Sequence, residues 1–164
     1  MQCIDCKKVK QMEIERKYLV DKELWLKTNK PAGEYIIQGY LTTDIEKTIR
    51  IRVTGSGGYM TIKGKTVNIS REEYEFPVPF DMATELIQKF SEGIIEKVRY
   101  KVSYKGKTWE VDEFSGDNTG LLIAEVELTE EHENIELPEW IGKEVSDDAR
   151  YYNACLVKHP FAKW

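Results

Sequence analysis

What this chain lacks narrows it before any motif is read. No apolar run approaches the ~18–20 residues of a membrane span, and the start carries no signal-like apolar core. Both absences predict a soluble, cytoplasmic protein with no membrane partner. Basic excess is missing too. Lys and Arg number 24 against 29 Asp and Glu, for a net charge of -5. That balance excludes a general nucleic-acid binder, because a phosphate backbone selects a basic surface. It leaves open a basic cavity inside an acidic protein.

Metal-ligating sulfur and imidazole are scarce: Cys3, Cys6, Cys155, His132 and His159 are the whole supply. Cys3 and Cys6 have the spacing of a redox or half-zinc motif. Zinc would need two further ligands, and both histidines lie far off in sequence. Internal repeats, low-complexity tracts and long linkers are absent as well. Residues 12–164 therefore read as one domain, and lysine-rich residues 1–11 as a flexible extension, with Met12 an alternative start.

What the chain does have is charge alternating with period two. In a strand, residues two apart share a face. Glu13, Glu15 and Lys17 then project together, opposite Ile14, Tyr18 and Val20. The pattern returns in 47–54 (Arg50 and Arg52 against Ile49, Ile51 and Val53) and in 59–63, which carries Lys63. It returns again in 70–78 (Arg71, Glu73, Glu75), 94–104 (Lys97, Arg99), 108–114 (Glu110, Asp112) and 121–129 (Glu125, Glu127). With 35–42, that makes eight strands. Gly55–Gly58 and Lys105–Gly106 read as turns. Helical spacing predicts a helix over 81–91 capped by Asp81, and another over 147–158 capped by Ser146 and stopped by Pro160. Residues 21–28 form a short helix or turn.

Two arrangements fit such strands. Either an apolar face packs on a core while the charges meet water, or the sheet closes with its charged faces inward. The charged faces are poor in hydroxyls, hold Arg in tandem and nearly balance in sign, which lowers the cost of burying them.

The chain also resembles the CYTH superfamily of triphosphate tunnel metalloenzymes. The resemblance is carried by Glu13-x-Glu15-x-Lys17, QGYL (38–41), Arg50-x-Arg52, Thr61-Ile62-Lys63, SREEYE (70–75), EKVRY (96–100), EVDEF (110–114), AEVEL (124–128) and Asp148-Ala149-Arg150-Tyr151. It implies an α+β, mainly β fold: an eight-stranded antiparallel closed tunnel barrel with a charged interior and a few flanking helices. Members act on triphosphates, and this compact chain is similar to the bacterial inorganic triphosphatase branch. The alternatives are a class IV-type adenylate cyclase, a thiamine triphosphatase, a nucleoside triphosphatase, or a non-catalytic polyphosphate or nucleotide-binding module. The cyclase branch usually has a His- and aromatic-rich acidic segment where this chain has 32–43, and no His lies there.

Roles follow from charge. A triphosphate carries about four to five negative charges, so it calls for Arg forks and Lys point charges. Arg50, Arg52, Lys63, Arg71, Lys97, Arg99 and Arg150 are the expected substrate contacts. Mg²⁺ or Mn²⁺ takes hard oxygen ligands, for which Glu13, Glu15, Glu125 and Glu127 are expected, with Glu73 and Asp112 in support. Lys17, Lys97 and Arg52 are the expected catalytic groups, Lys17 as a water-activating amine whose pKa cationic neighbours lower. Tyr151 and Trp140 read as packing residues, and His132 and His159 as surface. The few helices available to cover the barrel point to a homodimer.

Overall fold

The alternation of 47–54 does produce a strand with its arginines and isoleucines on opposite sides, and the apolar side faces out. A computed structural model describes residues 9–44 and 46–164 of the protein. Cys3 and Cys6 lie outside the described residues. Strand β1 runs Val9–Val20, followed by helix α1 (Lys22–Lys27), β2 (Glu34–Asp44), β3 (Lys47–Thr54), β4 (Gly57–Gly64) and β5 (Ser70–Val78). Then come α2 (Phe80–Phe90), β6 (Gly93–Tyr104), β7 (Lys107–Phe114), β8 (Leu122–Glu127), β9 (Ile141–Glu144) and α3 (Asn153–Lys158). Residues 9–11, assigned to the extension on sequence, continue β1.

All pairings are antiparallel. The sheet runs β5-β4-β3-β2-β6-β7-β8-β1, and β1 also pairs with β5, which closes eight strands into a barrel. β1 divides its partners: residues 9–14 pair with β5 and residues 15–19 with β8. Where β5 leaves off, β9 adds to the freed edge through Tyr18–Glu144 and Val20–Ile141.

The outward apolar faces are covered by one helix each on two sides. On α2, Ala83 and Ile87 pack on Ile51 of β3. Trp25 of α1 joins Trp109, Trp140, Tyr18 and Val126 in the largest cluster. Trp140 is thus a packing residue.

Several boundaries differ from expectation. α2 begins after Pro79, one residue ahead of Asp81, which sits in the first turn and favours the helix dipole there. The expected helix over 147–158 is split. Asp148 caps a 3₁₀ turn over 149–151 by accepting from the Arg150 amide, and α3 starts only at Asn153. Ser146 caps neither; its hydroxyl accepts from the Lys17 amide at 3.0 Å. Gly57 and Gly58 belong to β4. Gly58 is required there, since a Cβ would sit 2.6 Å from that of Ala83. Lys105 and Gly106 both take positive φ (48° and 80°), the two-residue hairpin turn expected of them.

The barrel interior is not charged throughout. Ile95, Phe114 and Ile123 have the same strand parity as Lys97, Asp112 and Glu125, two residues along. With Tyr40, Leu121 and Leu156 of α3 they form an apolar plug filling one end. The charged chamber begins above it.

Candidate active site

Directly above the plug stands a buried charge layer. Lys97 places its ammonium 2.5 Å from Asp112 and lies over the Phe114 ring. Lys17 bridges Glu125 at 2.5 Å and Glu15 at 2.7 Å. Arg99 is saturated: Nε and Nη2 donate to Asp112 at 2.6 Å, Nη2 also reaches Glu125 at 2.9 Å, and Nη1 contacts Glu110. Side-chain exposure along this inward column of β6 climbs from 2% at Lys97 through 12% at Arg99 to 61% at Lys101.

Above that layer opens a chamber of about 560 Å³. Seven cations line it (Arg50, Arg52, Lys63, Arg71, Arg99, Lys101, Lys107), together with seven carboxylates (Glu13, Glu15, Glu73, Glu75, Glu110, Glu125, Glu127). Arg71 donates to Glu13 at 2.6 Å and to Glu15 at 3.0 Å. Lys63 sits between Glu73 at 2.6 Å and Glu13 at 3.1 Å. Arg50 donates to Thr61 at 2.9 Å, and Arg52 to Glu75 at 3.0 Å. Unlike Arg99, these last two are unfinished: the buried Nε of each has no hydrogen-bond partner among the described residues. A second cavity of about 300 Å³, lined in part by Tyr40, Tyr152, Ala154 and Cys155, shares Arg50, Lys63, Arg71 and Asn153 with the first.

The electrostatics correct one expectation. Burial works to lower the Lys17 pKa, but Glu125 and Glu15 outweigh it and raise the ammonium above its ordinary value. Lys17 is therefore a fixed cation and no base. The depressed amines are Lys97, pushed down to about 8 by burial and then Arg99, and Lys63, lowered by burial and then by Arg50 and Arg71. Burial would raise Glu125, yet Lys17 and Arg99 hold it well below the usual carboxylate range. Glu127 moves the other way, raised by burial and then by Glu13, Glu110, Glu15 and Glu73.

Of the expected ligand set, Glu13, Glu15, Glu73, Glu125 and Glu127 line the chamber, and Glu15 faces Glu127 across the β1–β8 ladder. Glu125 is committed to Lys17 and Arg99. Asp112 lies off the lining, committed to Lys97 and Arg99. Among the described residues no three acids already form a metal cage. The donors nonetheless fit a hard cation. They are carboxylate oxygens on a wall whose like charges raise Glu127, and no ion-pair partner of the Glu127 side chain is found among the described residues.

Of the expected substrate contacts, Arg50, Arg52, Lys63, Arg71 and Arg99 share the chamber. Lys97 is sealed beneath it and positions Asp112 and Arg99. Arg150 is not brought in: it is exposed, grips Asp148 at 2.6 Å and lies over the Tyr151 and Trp164 rings. Sequence reasoning left out five lining residues, of which Gly106 and Thr108 simply belong to the β6–β7 hairpin. Lys101 merely continues the Lys97–Arg99 column and was legible. Lys107 has the outward parity of Trp109 and reaches in only because it flanks the hairpin turn. Asn153 arrives on α3, with no local signal.

The CYTH domain family matches residues 11–152 of this chain. The inorganic triphosphatase of Acetivibrio thermocellus is 45% identical over 150 residues, covering 91% of this chain and 95% of that protein. The inorganic triphosphatase of Nitrosomonas europaea is 35% identical over 154 residues, covering 88% and 96%. The crystal structure of the inorganic triphosphatase NE1496 superposes with a TM-score of 0.62 at 32% identity, covering 88% of this chain and 93% of that one. The PH1012 protein of Pyrococcus horikoshii, 22% identical with a TM-score of 0.55 over 73% of this chain and 80% of that one, shares the fold.

Proposed function

The chain belongs to the CYTH domain family, and from that membership we propose that it is a metal-dependent inorganic triphosphatase, cleaving tripolyphosphate to pyrophosphate and phosphate. The observation that carries the reading is the unfinished pair Arg50 and Arg52. Two guanidiniums whose buried Nε atoms have no partner among the described residues, in a chamber wide enough for a small ligand, call for an anion that supplies acceptor oxygens. Tripolyphosphate has them in excess and has no group that needs an apolar pocket.

Mg²⁺ or Mn²⁺ would be held by Glu13, Glu15 and Glu127 and would supply Lewis-acid neutralisation of the charge that develops as the anhydride breaks. The chain's own residues do the rest. Arg71 and Lys63 now spend their charge on Glu13, Glu15 and Glu73. With those carboxylates engaged elsewhere, Arg71 turns to the phosphates. Arg50 and Arg52 clamp the chain, while Arg99 is held rigid by Asp112, Glu110 and Glu125. Phosphoryl transfer asks mainly for such positioning and charge neutralisation. Lys63, whose depressed pKa favours giving up its proton, is the lining amine suited to accept one from an attacking water.

A second reading has one observation in its favour. The adjoining 300 Å³ cavity, walled by Tyr40, Tyr152 and Ala154, has room for an organic group attached to the triphosphate. Among the described residues no helix is long and apolar enough to cross a membrane, and a cytoplasmic location is part of the proposal. So is a homodimer, for which exposed Phe80, Met82 and Phe90 on α2 offer apolar surface.

The test is phosphate release from tripolyphosphate and from ATP, with and without Mg²⁺. We expect tripolyphosphate to be the faster substrate, strict metal dependence, and loss of hydrolysis in Glu15→Gln with the fold intact. Cyclic AMP as the main product of ATP would replace the proposal with the cyclase, and tight binding without turnover would replace it with a binding module.

A further inference from the structure

Lys101 and Lys107 differ from the other chamber cations in what holds them. Arg71 and Lys63 are sunk in the wall against carboxylates that share the chamber. Lys107 is held from outside: its ammonium lies 2.5 Å from Glu133, in the segment after β8, and donates to the Glu127 carbonyl at 3.2 Å. Glu133 keeps other partners if Lys107 leaves. Its carboxylate also accepts from the Thr129 amide at 2.6 Å and the Thr129 hydroxyl at 2.9 Å. Lys101 pairs with Glu110 at 2.9 Å, a carboxylate that Arg99 already holds. Either lysine can swing away without stranding a buried acid, which Lys63, Arg71 and Arg99 cannot do.

Both lysines lie on the β6–β7 hairpin and line the chamber, Lys107 next to Gly106 at the turn and Lys101 opposite Glu110 three pairs further in. Lys101, 61% exposed against 12% for Arg99, is reached first by an anion arriving from solvent, and Lys107 lines the same chamber nearer the hairpin turn. Long, flexible, strongly hydrated ammonium groups suit a first, exchangeable contact better than a fixed one. Charges placed at the mouth of a cleft raise the arrival rate of an oppositely charged ligand, and salt screens the effect.

We infer that Lys101 and Lys107 form a capture rim that takes the leading phosphate of an incoming triphosphate and sets its affinity without acting in the bond-breaking step. This rests on the triphosphatase reading. The test measures Lys101→Met, Lys107→Met and the double variant with tripolyphosphate and Mg²⁺ across a series of ionic strengths, alongside melting temperature. KM should rise about five-fold in each single variant and about twenty-fold in the double. With it, kcat should stay within about two-fold, the ionic-strength dependence of kcat/KM should flatten, and melting should hold. Lys107→Arg should restore KM, and Glu133→Gln, which frees Lys107, should lower it.

A fall in kcat at constant KM would overturn the inference by placing the lysines in the chemistry. Unchanged KM and salt dependence would reduce them to surface ion pairs. A lower melting temperature that tracks the lost activity would make them a structural latch. If the wild type releases no phosphate, the triphosphatase reading fails, and the rim is then scored by calorimetric binding of tripolyphosphate. Equal affinity in the wild type and the double variant would sink it there too.

Discussion

Along β6 the inward side chains run Ile95, Lys97, Arg99 and Lys101; along β7 they run Phe114, Asp112, Glu110 and Thr108. Each column starts in the apolar plug and ends in water. The same chemical pairing, an ammonium on a carboxylate, therefore occurs in two settings. Lys97–Asp112 is sealed between plug and chamber at 2%/1% side-chain exposure, whereas Lys101–Glu110 stands at the rim at 61%/28%. In the first setting both charges have given up water, so removing one partner strands the other at a cost of about 3–5 kcal/mol. In the second, water and salt replace a lost partner, and the pair contributes about 0–1 kcal/mol. The layer over the plug is scaffold, and the rim is free to work.

The largest test of that contrast is Lys97→Met against Arg52→Ala. Losing Lys97 leaves Asp112 to Arg99 alone, and melting should fall by roughly 6–20 °C, at about 2–4 °C per kcal/mol for a chain of this size. Hydrolysis should drop at least ten-fold as well, about 1.4 kcal/mol. Arg52→Ala should cost a similar factor in rate with melting within about 2 °C, because the Glu75 it pairs with is 31% exposed and still accepts from Thr61. Equal melting losses in the two would erase the distinction.

Acidity separates the regions next. Lys97 has its pKa pushed down to about 8 from 10.5. Between those values the folded chain binds fewer protons at this site than the unfolded one, so the site adds stability as pH rises through the window. Activity should run the opposite way and decline above about pH 8, as neutral Lys97 leaves Asp112 pulling on Arg99 alone. Persistence of that alkaline limb in Lys97→Met would assign it to another group.

The smallest effect has a sign as its signature. Glu15 is paired with Lys17 and Arg71, so Glu15→Gln should lower the metal-free melting temperature by a few degrees. Glu127 faces like charges, so Glu127→Gln should raise it by about 1–2 °C and blunt the stabilisation by Mg²⁺. Shifts of the same sign in both variants would contradict the assignment of Glu127 as the uncompensated acid.

Much of this was legible in period two. The arginines of β3, the acids of β1 and the inward set of β6 through β8 follow from parity, as does closure once the charged faces are required to meet. Parity carries no depth, however. Ile95 and Lys97 share a face, and nothing local says that one belongs to a plug and the other to a charged layer. The state of Lys17 was unreadable for a different reason: Glu125, which holds its proton, is 108 residues away. Arg150 was misplaced because spacing near an acid looks alike in a helix and in the 3₁₀ turn that Asp148 caps. β9 has no pattern of its own; its four residues fill an edge of β1 that exists only after β5 has turned away.

The divided pairing of β1 gives its charges a second use. On a ribosome adding about 5–20 residues per second, the 108-residue interval between Lys17 and Glu125 means roughly 5–20 s during which the first strand has no eighth strand to join. Through that interval it is an open ladder edge, the kind that recruits other chains. Glu13, Glu15, Arg16 and Lys17 make it a poor template for such pairing, since edge charges discourage it and an in-register parallel copy would set like charges side by side. Glu13 and Glu15, which later line the chamber, thus first help to keep nascent chains apart.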